Sequence, residues 1–248
     1  MSSLDDGTKG VLFLRRALVP YLSKASHLPT PFLSAFLLVH LSAPLMANLG
    51  GSSLSSQVML LGREYYQGQA SEILVVFAPL ALHISASTLK RLISPIHPRP
   101  VLSLLSAAGY ACAFILPLHV LIHRVYPTDP AIPISALGPA QLDFTFVQYA
   151  LQVWPVRNSL MYTALVAATL THALEGAALL WDLYCVSPGV VLRRRKDNVI
   201  RRRVLNATGI LISMGSLFAI WSEPLATPLP SLIHSFDAVF KKLFIFRL

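Results

Sequence analysis

Charged side chains make up only 12% of this 248-residue chain while 54% of its residues are hydrophobic. Water-soluble domains carry roughly 25% charge, so an ordinary soluble fold is excluded. Cysteine is nearly missing. Cys112 and Cys185 lie in or at the edge of apolar segments, which rules out a disulfide framework and any metal-spaced cysteine set. Acidic residues number 11 against 20 Lys and Arg, a net charge of +9. That surplus does not point to nucleic acid, because the basic residues fall in the gaps between long apolar runs, where they act as topology signals. A glycine-rich phosphate loop is lacking, and so is a close pair of carboxylates. Glu175 and Asp182 stand seven residues apart on one helix, and Glu64 and Glu72 flank an apolar run. No enzymatic chemistry has a constellation to rest on.

What the chain does have is long apolar runs. A bilayer core about 30 Å thick takes roughly 20 helical residues at about 1.5 Å each. Five stretches meet or approach that length: about Pro31 to Leu49, Ile73 to Leu89, Val101 to His123, Asn158 to Val186 and Val204 to Ser222. Alternating sides along this layout divides the Lys and Arg residues 14 against 6, with the N-terminus on the basic side. Cytosolic loops retain positive charge, so five spans with a cytosolic N-terminus are expected. The chain then divides into a cytosolic segment 1–29, a four-helix membrane domain 30–186, a basic loop 187–203, a fifth span 204–222 and a tail 223–248.

Leu232, Phe236, Val239, Phe240, Leu243 and Phe244 recur in the tail at helical spacing. Such an amphipathic helix lies on the membrane surface or packs against the bundle. The proline-broken connection from Arg124 to Arg157 is too interrupted for a sixth span, but Leu142 to Trp154 fits a short interfacial helix. Asn206, Ala207 and Thr208 form a glycosylation sequon at the cytosolic entry of the fifth span, where it would be inaccessible. The run RRRKDNVIRRR (Arg193 to Arg203) keeps its loop in the cytosol and would also attract anionic headgroups.

Helices one and two resemble helices three and four. The first member of each pair has a histidine among leucines, FLLVHL with His40 and ILPLHVL with His119. The second has a histidine followed by small residues, LHISAS with His83 and THALEGAA with His172. A duplicated helical hairpin with a fifth helix appended is the simplest account, in an all-α membrane protein. Ionisable groups in a bilayer are expensive and mark function by default. Histidines on facing helices suit a b-type haem, and depth pairs His40 with His83. His119 and His172 differ in depth by roughly 13 Å, against a second haem. The simpler role is interhelical hydrogen bonding by these histidines with Glu175, Ser85 and Thr171. A polar path through the bundle is the third.

The arrangement GREYYQ (Gly62 to Gln67), then EILVVFAPLALHISAS (Glu72 to Ser87), then Lys90 and Arg91 resembles a fungal mitochondrial outer-membrane adaptor family with a characteristic transmembrane domain. FLLVHLSAP (Phe36 to Pro44) and THALEGAALLWD fit the same family, so the resemblance spans roughly Thr30 to Asp182. That domain is in turn similar to the cytochrome b anchor subunits of succinate dehydrogenase and fumarate reductase. The resemblance implies a role in mitochondrial lipid homeostasis and contact sites without catalysis or an obligatory cofactor. It also implies a cytosolic Pro-x-Pro motif that recruits a bridge-like lipid-transfer protein of the vacuolar sorting type. Pro29, Thr30, Pro31 and Phe32 are the matching residues, where proline would hold an extended backbone before binding. Prolines opening a helix at its first turn are the alternative. Pro98, Arg99 and Pro100 form a second cytosolic candidate. A lipid scramblase, with a polar groove along Ser85, Ser87, His172 and Glu175, competes with the adaptor, as does a haem protein.

Overall fold

The computed structural model describes residues 2–94, 99–186, 188–225 and 229–247, without the side chains of 2–12, 136, 139 and 188–198. Pro98, the basic run's side chains through Lys196 and Pro228 therefore lie outside the described residues. Every regular element among those described is helical, and five helices are long and apolar enough to cross a membrane: Phe13–Leu45, Glu72–Ile93, Leu104–Thr128, Pro155–Tyr184 and Val199–Ser222. Only 11 to 17% of the residues in each span window are buried inside the chain. Their outward faces carry Leu38, Phe114, Leu160, Leu211 and Phe218, all more than half exposed. Apolar area on that scale is stable only against lipid. The chain is a multipass helical membrane protein.

Two compact units make up the chain, residues 1–39 with 63–103 and residues 40–62 with 104–248. In the first, α1 (Ser2–His27) packs along α4 (Ala78–Ile93). Leu28 and Pro29 form the turn into α2 (Thr30–Leu45), and Phe36 meets Tyr66 of α3 (Ala47–Tyr66) edge to face at 5.0 Å. The expected cytosolic segment 1–29 is thus largely helical, and its second half joins the first apolar span.

The second unit pairs α5 (Leu104–Val120) with α7 (Pro155–Tyr184), and α7 with α8 (Pro188–Ser222). Prolines shape two of the spans. A π-helical segment, Glu72–Phe77, ends two residues before Pro79, and another, Leu121–Val125, ends two residues before Pro127. Proline has no N–H to offer and its ring crowds the carbonyl four residues back, Val75 or His123, so the backbone widens there instead of breaking. The expected basic loop 187–203 is corrected by a continuous helix from Pro188 into the fifth span. Nothing from Val190 to Ser222 supplies a proline to end it.

The short helix expected near Leu142 is α6 (Phe144–Val153), capped by the Asp143 carboxylate, which accepts from the Thr145 amide at 2.8 Å. The tail forms α9 (Pro230–Lys241), and of its two expected settings packing is the one observed. Phe236, Val239 and Phe240 are fully buried, and Phe240 stacks on Phe146 at 4.7 Å and contacts Trp154 at 5.4 Å. Phe146, Phe236 and Phe240 belong to the hydrophobic core, and Trp154 packs against it.

Candidate functional site

Two of the predicted histidines do the same thing in the two units. His83 of α4 donates its Nδ1–H to the Ser26 carbonyl of α1 at 2.8 Å, and His172 of α7 donates its Nδ1–H to the Leu105 carbonyl of α5 at 3.0 Å. A carbonyl only accepts, so each bond fixes the tautomer with the proton on Nδ1. Ser26 stands 14 residues before His40, and Leu105 stands 14 residues before His119. Three residues past each acceptor is a buried small or cyclic residue, Pro29 or Ala108. Common spacing and a common bond give the duplicated hairpin a physical basis. The copies diverge one position later: at Gly109 an added Cβ would come within 2.9 Å of the His172 ring, whereas the first copy has Thr30 there.

His40 and His83, the pair whose depth would allow one haem, belong to different units and each has partners in its own. The ring of His40 lies against His119 at 6.0 Å, His119 against His123 at 4.5 Å, and His123 Nε2 is 3.1 Å from the Tyr162 hydroxyl. Nδ1 of His119 is buried without a hydrogen-bond partner. Among the described residues no group of three or more His, Cys, Asp or Glu is placed to hold a metal ion. Ser85 and Ser87 belong to the first unit and His172 and Glu175 to the second, so no single unit contains the expected groove.

Glu175 is committed elsewhere. It accepts from Arg202 Nε at 2.7 Å, joining α7 to α8. This pair opens a seam along α8 that sequence reading missed: Arg202, Asn206, Gly209, Ser213, Ser216, Ile220 and Glu223, spaced alternately by four and three. That period keeps one stripe of a helix facing its neighbours. Asn206 donates to Thr171 Oγ1 at 2.8 Å, which uses the sequon amide between helices. Asn48 donates to Ser216 Oγ at 2.6 Å and to the Ile212 carbonyl at 3.1 Å. At the far end the Glu223 carboxylate accepts from the Ser52 amide at 2.9 Å and from its hydroxyl, capping the helical turn that restarts after Gly51. Gly51 has φ of +61°, and a Cβ there would fall 1.7 Å from the carboxylate. Ser216 is fully buried and Ser213 nearly so. The middle of the seam is buried, while Arg202, Asn206, Gly209 and Glu223 towards its ends are partly exposed. Its signal in the sequence was the seven-residue period of small and polar residues through an apolar span.

The end bearing α6 and α9 is tied down by side-chain amides. Gln148 and Gln152 both donate to the Glu223 carbonyl, at 2.9 and 2.8 Å, and so satisfy an acceptor beyond the end of α8. Arg157 donates to the Ile245 carbonyl at 2.8 Å. The Tyr149 hydroxyl donates to Asp237 at 3.5 Å; burial, aided by that carboxylate, pushes its phenol up to about 12. Lys242 donates to Asp129, and this bond, with one from the Ala131 amide, holds the Asp129 carboxyl below its usual range. A recess of about 750 Å³ opens between Ile132, Pro133, Ser231, His234 and Asp237.

The candidate recruiting motif does not hold an extended backbone. Thr30 Oγ1 donates to the His27 carbonyl at 2.7 Å and the Leu33 amide to the Pro29 carbonyl at 3.1 Å, so Pro29 to Phe32 open α2. Pro29 is buried, while Leu28, Pro31 and Phe32 point outward. The helix-opening alternative is the one observed, because proline needs no N–H partner in a first turn. No protein-family model matches the chain, and no curated protein and no solved structure matches it.

Proposed function

We propose that the chain is a multipass adaptor of the mitochondrial outer membrane that recruits a bridge-like lipid-transfer protein and acts without catalysis in lipid homeostasis. The sequence resemblance supplies the partner class, and the charge count supplies a cytosolic N-terminus. The observation that carries an adaptor over a scramblase is the pairing of the seam. Arg202 with Glu175, Asn206 with Thr171, Asn48 with Ser216 and Glu223 with Ser52 engage the polar groups of this seam with neighbouring helices, whereas headgroup transfer needs a polar track open to lipid. Such pairing builds a stiff platform.

On this proposal the outward residues Pro31 and Phe32 contribute to recruitment from a helical turn. Raising the level of the tagged chain in cells should draw the tagged lipid-transfer protein to mitochondria. Substitution of Pro31 and Phe32 by alanine should reduce that accumulation severalfold with membrane insertion intact. Recruitment unchanged by the double variant would remove this surface, and no recruitment by the parent chain would remove the adaptor. Purified protein should show no Soret band and no acceleration of lipid exchange between leaflets in liposomes; either signal would favour a competing function.

A further inference from the structure

Three bonds fix how α7 and α8 lie against each other in the second unit. Glu175 meets Arg202, Thr171 meets Asn206, and Thr163 Oγ1 meets the Met214 sulfur at 3.1 Å. Each step back along α7 equals the step forward along α8, so the two helices run antiparallel in one unbroken register. In that register Trp181 is level with Lys196 and Tyr184 is level with Arg193. At the opposite end Trp221 is level with Val156, 25 residues before Trp181, or about 38 Å at 1.5 Å per residue. Trp181 and Tyr184 are both 61% exposed and Trp221 is 45% exposed. Exposed aromatics separated by about the full thickness of a bilayer with its interfaces mark the two headgroup levels.

The basic run therefore has a definite depth. Arg193 to Lys196 stand on the helix at the level of Trp181 and Tyr184. Arg201 and Arg203, both exposed, stand five to seven residues further in. From there, side chains of arginine length reach back to the headgroups along an apolar stem. Arg202, between them, is neutralised by Glu175. Seven Lys and Arg at this end face three acids, Glu175, Asp182 and Asp197, one of which is already paired.

From this placement we infer that the α7–α8 end is a binding site for the headgroups of anionic phospholipids, with Arg201 and Arg203 holding phosphate at the membrane edge and the sequence positions Arg193 to Lys196 adding positive charge on the same helix. The site is independent of the adaptor proposal and survives its failure. The full-length chain, reconstituted in phosphatidylcholine bilayers with trace spin-labelled lipids, tests it. Phosphatidylserine should associate severalfold more strongly than phosphatidylcholine of the same chain length. R201Q with R203Q should cut that preference by half or more, and adding R193Q, R194Q, R195Q and K196Q should bring it to parity. R201K with R203K should retain it, which separates charge from loss of fold. Inorganic phosphate in the buffer should leave the preference intact. Equal association of the two lipids would overturn the inference and leave an acidic polypeptide as the occupant. A preference that outlives all six substitutions, or one abolished by inorganic phosphate, would overturn it too.

Discussion

Gly51 and Glu223 show how one position without a side chain fixes a long-range contact. The positive φ of Gly51 turns the Ser52 amide toward a carboxylate 171 residues away in sequence. Gly51→Ala should cost at least about 2 kcal/mol, from left-handed backbone strain and loss of the cap. Glu223→Ala should cost about 1–2 kcal/mol and Glu223→Gln less, since the amide oxygen still accepts. Thermal unfolding in detergent ranks the three; a Gly51→Ala variant as stable as the parent would contradict the clasp. Asp129 makes a pH prediction. Its carboxyl is held below the usual range in the folded chain, so its bond to Lys242 contributes stability above about pH 4, the unfolded value, and loses it as pH falls further. Lys242→Met should flatten that acid limb of a stability–pH curve and leave the neutral region nearly unchanged.

At the scale of elements, apolar length and proline position were legible in the sequence, and long-range partners were not. All five expected spans are present, and α6 and α9 form where the periodicity of Leu142–Trp154 and Leu232–Phe244 placed helices. Helix α1 was missed because residues 1–29 were assigned only as a cytosolic segment, yet exposed Arg15 and Arg16 are compatible with a helix. The prolines of Pro29 to Phe32 suggested an extended backbone, but proline fits a helix start equally well, and only the surrounding packing decides. Histidines were found because they are conspicuous in apolar runs. Asn48, Ser52 and Ser216 were overlooked because small polar residues in a membrane helix acquire meaning only when a second helix is beside them. The register can be checked directly. With Cys112 and Cys185 removed, Thr163→Cys with Met214→Cys should form a disulfide on mild oxidation, and Thr163→Cys with Ile210→Cys, one turn displaced, should not. On α9, Phe240→Ala should cost about 3–5 kcal/mol, as expected for emptying a packed aromatic site. Retention of full stability by that variant would place α9 at a lipid surface.

For the whole molecule, an odd number of spans is the property most exposed to refutation. Tags at the two termini should differ in protease access on intact organelles, the N-terminal one being cleaved if the basic side faces the cytosol. Removal of both together would refute five crossings.

The seam of α8 has a consequence for biogenesis. Every helix it bonds to emerges earlier from the ribosome: Asn48 and Ser52 of α3, and Thr163, Thr171 and Glu175 of α7. The last span therefore arrives with Arg202, Asn206 and Ser216, and with Glu223 just past its end, polar groups that no lipid welcomes, and finds hydrogen-bond partners already in place for them. With donors waiting for Ser216 and Glu223 and acceptors waiting for Arg202 and Asn206, it has less need to be greasy enough to insert unaided. Nascent chains stalled before α8 should leave Glu175 without its counter-charge and be the forms that quality control extracts.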